Sequence, residues 1–175
     1  MGKLTDFQNI KLIIGIIFQK DYPVDQLIKK IEQDLGKIDF ISENISFNNT
    51  NYYENEMGPN LLKKFISFEK LWDVEKTSQV KLYTNKLEEE YSENNKRPIN
   101  LDPGILTLPN IILFSTKNFF HRIPILNNIY AEVTLYWHNK KYQDLPWTYP
   151  DYKTEAYKSV LTTIRNTYKN QLNLS

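Results

Sequence analysis

The chain has 175 residues, 41% hydrophobic and 25% charged, ordinary values for a globular protein long enough to bury a core. Its 22 basic and 21 acidic residues leave a net charge of +1, without the basic excess that accompanies tight non-specific nucleic-acid binding. The absence of cysteine removes disulfides, thiol nucleophiles and thiolate metal sites together.

The longest apolar run, Leu12 to Phe18, is far shorter than a membrane span and lacks a small-residue cleavage site after it. Met1-Gly2 opens like a myristoylation signal, but Asp6 stands where Ser or Thr is required. A cytoplasmic protein of one domain, residues 1–175, is therefore expected, with no membrane partner.

In chain order, Lys11 to Gln19 is a short β-branched run and predicts a buried strand. A helix follows, with Asp21 near its cap and Pro23 in its first turn. Val24, Leu27, Ile28, Ile31 and Leu35 share its inner face, and Gly36 ends it. Ile38 to Ile41 resumes extended structure, continuing through Ile45 to Phe47. Asn48 to Asn60 is polar and predicts a loop, and Lys63 to Lys70 a strand. A second helix runs from Asp73 to Tyr91, with Val80, Tyr83, Leu87 and Tyr91 inward.

With Ile99 to Leu101 as a further strand, the order becomes βαββαβ, the ferredoxin-like pattern. Hairpins come next: Ile105 to Leu108 turning at Pro109-Asn110 into Ile111 to Ser115, then Phe119 to Ile125 turning at Asn127-Asn128 into Ile129 to Trp137. Asn tolerates the positive φ that two-residue hairpins demand, which makes the second turn the stronger signal. A final helix spans Thr154 to Leu172. The fold expected is α+β: a mainly antiparallel sheet with a ferredoxin-like start, added β-hairpins and a C-terminal helix.

Several segments are familiar as a set: Tyr52-Tyr53-Glu54-Asn55-Glu56-Met57-Gly58, Ser67-Phe68-Glu69, Lys81 with Thr84-Asn85, and Asn100-Leu101-Asp102-Pro103-Gly104. Ser115-Thr116-Lys117, His121-Arg122, Tyr130-Ala131-Glu132-Val133-Thr134 and the stretch from Leu145 through Trp147 to Tyr152 extend the series. Over about Lys11 to Tyr168 it resembles the bacterial family catalogued as domain of unknown function 4416. The resemblance implies a small, bacterial, cytoplasmic protein and carries over no catalytic residue.

Standard catalytic signatures are absent from the sequence, and none of the five glycines lies in a phosphate-cradling G-x-x-x-x-G-K-[ST] motif. The sharpest inference comes from the hairpin at Asn127-Asn128. A two-residue loop there pairs Ile123 with Glu132 and His121 with Thr134. His121 and Glu132 then become diagonal neighbours, while Arg122 points to the opposite face. A histidine held by a carboxylate can act as a general base, or the two can share a metal; the plainer reading is a cross-strand salt bridge.

Asp102-Pro103-Gly104 is first of all turn chemistry, opening a hairpin whose return strand brings Lys117 towards Asp102. Joined to His121 and Glu132, Asp102 would complete a two-carboxylate, one-histidine set suited to a divalent metal, the one cofactor the residues suggest, with its identity left open. Tyr53 and Glu56 in one irregular stretch, and Trp147 and Tyr149 in another, would form a stacking wall and lid, or simply anchor loops to the core.

Two functions are compatible with this set. One is an enzyme acting on, or a protein binding, a small anionic, nucleotide-like ligand without a P-loop. There Asp102, His121 and Glu132 do the chemistry while Tyr53, Glu56, Lys117, Arg122, Trp147 and Tyr149 bind. The other is a non-catalytic module recognising a metabolite or a protein partner.

Overall fold

The computed structural model describes residues 2–3, 6–48, 53–93 and 96–174. The elements are β1 (Lys11–Gln19), α1 (Val24–Leu35), β2 (Ile38–Ile41), β3 (Ile45–Ser46), α2 (Glu54–Met57), β4 (Leu61–Phe68) and α3 (Thr77–Glu90). They continue with β5 (Ile99–Leu106), β6 (Asn110–Ser115), β7 (Ile123–Pro124), β8 (Tyr130–His138), β9 (Lys141–Asp144) and α4 (Glu155–Leu174). Tyr52, part of the expected aromatic stretch, lies outside the described residues.

The nine strands form one sheet in the order β2-β4-β1-β5-β6-β8-β7, with β3 beside β4 and β9 beside β8. Every pairing is antiparallel. The order β2-β4-β1-β5 is that of the ferredoxin-like unit, and the later strands extend the sheet beyond β5. The α+β architecture is therefore the one expected.

β1 is central and buried on both faces. Leu12, Ile14, Ile16 and Phe18 pack under α1 and α3 with Leu27, Ile31, Val80 and Leu87. Ile13 faces the other side, where α4 supplies Tyr157, Leu161, Ile164 and Tyr168. Gly36 ends α1 at φ 107°, a conformation that favours glycine. Asp73 begins the turn into α3 by accepting a hydrogen bond from the Glu75 N–H at 3.0 Å.

Three expectations change. Asp102-Pro103-Gly104 is no turn: it runs through the middle of β5, with Gly15 opposite Asp102 and Ile14 opposite Pro103. Phe119 to Ile125 is extended only at Ile123–Pro124. The hairpin at Asn127-Asn128 is one residue out of the expected register, with Ile123 opposite Ala131 and Pro124 opposite Tyr130. Both asparagines do adopt positive φ, 60° and 57°, but Leu126 joins them in a helical turn, making a three-residue loop. A further hairpin, at Asn139-Lys140 with φ 50° and 61°, leads into the short strand β9.

Candidate functional site

The β5–β6 ladder contains only three residue pairs, from Gly104 opposite Leu113 to Leu106 opposite Ile111. β5 extends back to Ile99 and β6 forward to Ser115, so the two strands separate below Gly104. Alternate residues of a strand direct their main-chain groups towards the same neighbour, so Leu101 and Pro103 face the side β6 has left. The Leu101 N–H donates to Glu88 Oε1 at 2.6 Å, and its carbonyl accepts from Lys81 Nζ at 3.1 Å. Pro103 has no N–H to satisfy. The strand edge is thus closed by two α3 side chains and one proline. At the fork, Gly104 admits the Ile112 carbonyl; a Cβ there would lie 2.5 Å from that oxygen.

A cavity of about 700 Å³ occupies the fork, and its walls come from both faces of the sheet. Lys81, Asn85 and Glu88 of α3 line one side together with Arg97. On the other side stand Lys63, Asp102, Glu132, Tyr149 and Asp151, and Ser115 to Lys117 close one end. Five basic and five acidic side chains line it in all, the acidic five including Glu89.

Lys63 is almost wholly enclosed, with 1% of its side chain exposed. It lies among the rings of Phe65, Tyr152 and Tyr157, 4.7 Å from the Tyr152 centroid, and pairs with Asp102 at 3.0 Å and Asp151 at 3.3 Å. Burial opposes its charge, but Tyr152 and the two carboxylates outweigh burial and hold its pKa above the ordinary lysine value. Asp102 shows the reciprocal effect. Burial pushes its carboxyl up, yet Lys63 and Lys81, with hydrogen bonds from Lys63 and Asn100, bring it below the usual range. A quarter of the Asp102 side chain stays exposed towards the cavity (26%).

A second cluster surrounds Glu132, 1% exposed. One carboxylate oxygen receives Arg122 Nε at 2.7 Å and lies 2.9 Å from His121 Nε2. Arg122 donates onward to Ser115 Oγ, the Lys117 carbonyl and the Tyr149 hydroxyl, the last at 2.6 Å. Behind this cluster the His121 ring stacks on Trp147, centroids 5.0 Å apart and planes 9° from parallel, and its Nδ1 is buried without a hydrogen-bond partner among the described residues.

The expected contact between His121 and Glu132 is therefore present, by a different route. Both His121 and Arg122 belong to the turn preceding β7, outside the ladder, so both reach the same carboxylate; Arg122 is not on the opposite face. Of the expected site residues, Asp102, Glu132, Tyr53, Lys117, Arg122 and Tyr149 line the cavity. His121 and Trp147 stand behind its wall, with Trp147 Nε1 donating to the Val133 carbonyl at 2.8 Å. Glu56 lies outside, paired with Arg97 at 2.9 Å. Among the described residues no three His, Asp or Glu side chains gather as a metal site, so Asp102, His121 and Glu132 do not form one ligand set.

Lys63, Lys81, Asn85, Glu88, Arg97 and Asp151 complete the site; Lys81, Asn85 and Asp151 fall in the family-like segments, but no catalytic or ligand-binding motif marks any of the six. Lys81, Asn85 and Glu88 follow helical spacing beside the apolar stripe of α3, where charge ordinarily means solvent. Lys63 alternates with apolar residues on β4 and would have been the better clue.

Fold and site together define an α+β protein whose ferredoxin-like sheet is forked around a charged cavity. The chain belongs to the family described as Domain of unknown function (DUF4416), whose model matches residues 8–168. No curated protein and no solved structure matches it significantly. Among the described residues no helix is long and apolar enough to cross a membrane.

Proposed function

We propose that the protein binds a small, polar, anionic metabolite of nucleotide size in the fork between β5 and β6. The observation that carries this reading is the cavity itself: about 700 Å³, within the ~300–1,000 Å³ typical of small-molecule sites, and lined by charged side chains of which Lys63, Asp102, Arg122 and Glu132 are held by partners. Such groups need little rearrangement to receive a ligand, which favours affinity. Tyr53 and Tyr149 supply aromatic surface, Arg122 and Lys117 positive charge, and Asp102 an ionised acceptor. Without a glycine-rich loop, recognition falls to side chains rather than a main-chain phosphate cradle.

Binding is preferred to catalysis. His121 does not line the cavity, and an Asp102 held below the usual carboxylate range is a poor proton acceptor near neutral pH. The test is a thermal-shift screen with nucleotides, neutral nucleosides, sugar phosphates and dicarboxylates. A ligand at about 100 times its Kd stabilises the fold by about 2.7 kcal/mol, a readily measured shift. Asp102→Asn and Tyr149→Phe should each weaken that response. No shift with any compound, or shifts indifferent to both substitutions, would sink the reading.

A further inference from the structure

Three lysines are buried among the described residues, and two of them, on β1 and β4, are paired with carboxylates. Lys11 pairs with Asp39 and donates to the Phe68 carbonyl and Gln171 Oε1 at 2.7 and 2.8 Å. Lys63 has Asp102 and Asp151. Lys81 differs. It is 9% exposed, yet its ammonium donates one hydrogen bond, to the Leu101 carbonyl, and forms no ion pair among the described residues. An ammonium carries three donors, so among the described residues two of its N–H groups have no protein acceptor, at a depth where unmet donors are costly.

Those donors belong to a side chain that lines the cavity. Asn85, one helical turn further along α3, lines it too, and its amide has no hydrogen-bond partner among the described residues. Glu88, the acidic group next along this stripe, is already committed: one oxygen accepts from the Leu101 N–H and the other from Arg97 Nη1 at 2.5 Å. Lys81 and Arg97 both offset its charge, yet only Arg97 hydrogen-bonds to it, so Glu88 uses none of the Lys81 donors.

We infer that Lys81, assisted by Asn85, is the subsite that receives the oxyanion of the cavity's ligand, a phosphate or a carboxylate. This inference rests on the cavity being a ligand site and adds where the anionic end is held. The ligand lies with its charge against α3 and its remainder towards Tyr149 and Asp102. An oxyanion there would take up the two unused Lys81 donors and an Asn85 N–H, completing the hydrogen bonding that the protein alone leaves open.

The experiment titrates the full chain with inorganic phosphate and, separately, with acetate by calorimetry, and repeats both on Lys81→Gln. Binding of phosphate alone identifies a phosphate ligand, and binding of acetate alone a carboxylate. The glutamine variant should weaken the anion that binds at least tenfold. Unchanged affinity in Lys81→Gln overturns the subsite while leaving the cavity reading intact. If neither anion binds the wild type the subsite also falls, and the neutral nucleosides of the wider screen then decide whether the cavity binds ligands at all. Should Lys81→Gln fail to fold, the wild type with ¹⁵N-labelled lysine gives the answer. The Lys81 ammonium resonance should move with the calorimetric midpoint, and a stationary resonance overturns the inference.

Discussion

Lys63 on β4 passes directly over Gly15 on β1: a Cβ at position 15 would lie 2.8 Å from Lys63 Cε and 3.4 Å from a Phe65 ring carbon. Glycine is needed there because the end of the buried Lys63 side chain, its Cε foremost, occupies the space a side chain would fill. Gly15→Ala should destabilise the protein by about 1–3 kcal/mol, the usual cost of overpacking. Gly104→Ala should cost more, because its Cβ would meet the Ile112 carbonyl oxygen at 2.5 Å, and main chain cannot swing aside. Urea denaturation of the two variants gives the comparison. A larger loss at Gly15 would mean that the Lys63 cage is the stiffer of the two.

Removing Lys63 should expose the tension it resolves. Lys63→Met leaves Asp102 and Asp151 without their shared cation, a loss of about 3–5 kcal/mol at pH 7. The pH dependence follows from Asp102. Its folded-state pKa is held below the unfolded value of about 3.9, so its contribution is fully present above that value and is lost as pH falls through the folded pKa. In Lys63→Met, burial acts on Asp102 with less opposition and raises its pKa, so acid relieves the variant. Stability measured from pH 7 to pH 4 should show the gap between the two proteins narrowing. A constant gap would contradict the pairing.

Most of the sheet was legible because its signals are local and redundant. β1, α1 and α4 each repeat one apolar spacing over several turns or a full strand. β5 was misread at Asp102-Pro103-Gly104 because those residues carry turn chemistry wherever a strand needs its N–H groups. Here Pro103 lies on an edge that has lost its neighbour, so the usual objection to proline in a central strand disappears. β9 has one buried residue, Tyr142, and shows too little alternation to be seen. The contact of His121 with Glu132 was legible because few residues separate them around one turn. Lys63 and Lys81 were not, since the partners that make their burial tolerable, Asp151 and the Leu101 carbonyl, are distant in sequence.

Glu88 offers a test of the fork. Its carboxylate replaces β6 as acceptor for the Leu101 N–H and also pairs with Arg97. Glu88→Ala should cost about 2–3 kcal/mol by leaving a buried N–H unmet and Arg97 without this partner. Glu88→Gln retains an acceptor and should cost less. Burial, the leading influence, raises the Glu88 pKa despite Lys81, the Leu101 N–H and Arg97. An acid with a raised folded pKa penalises the fold at neutral pH, and the penalty lifts as pH falls through that pKa. Wild type should therefore gain on Glu88→Gln as pH drops from 7 towards about 4.3. A gain with rising pH would reverse the assignment.

The last test concerns the chain from Glu132 through Arg122 to Tyr149. Glu132 is almost wholly buried and fixes Arg122, which donates to the Tyr149 hydroxyl at the cavity wall. Burial first, and the Glu132 charge second, push the Tyr149 pKa up to about 12, with Arg122 acting against them. Because the folded pKa exceeds the unfolded value of about 10, the folded state keeps the phenolic proton longer, and stability falls as pH rises between the two. Glu132→Gln removes the negative charge and leaves Arg122 without its counter-ion, and both changes favour the tyrosinate. Tyr149 should then ionise nearer pH 10, read as the ultraviolet difference between Glu132→Gln and the double variant that also carries Tyr149→Phe. The same substitution should cost about 3–5 kcal/mol at neutral pH, since it strands a largely buried guanidinium. If Tyr149 still ionises near 12 while stability drops, Glu132 supports the fold without setting the electrostatics of the cavity wall.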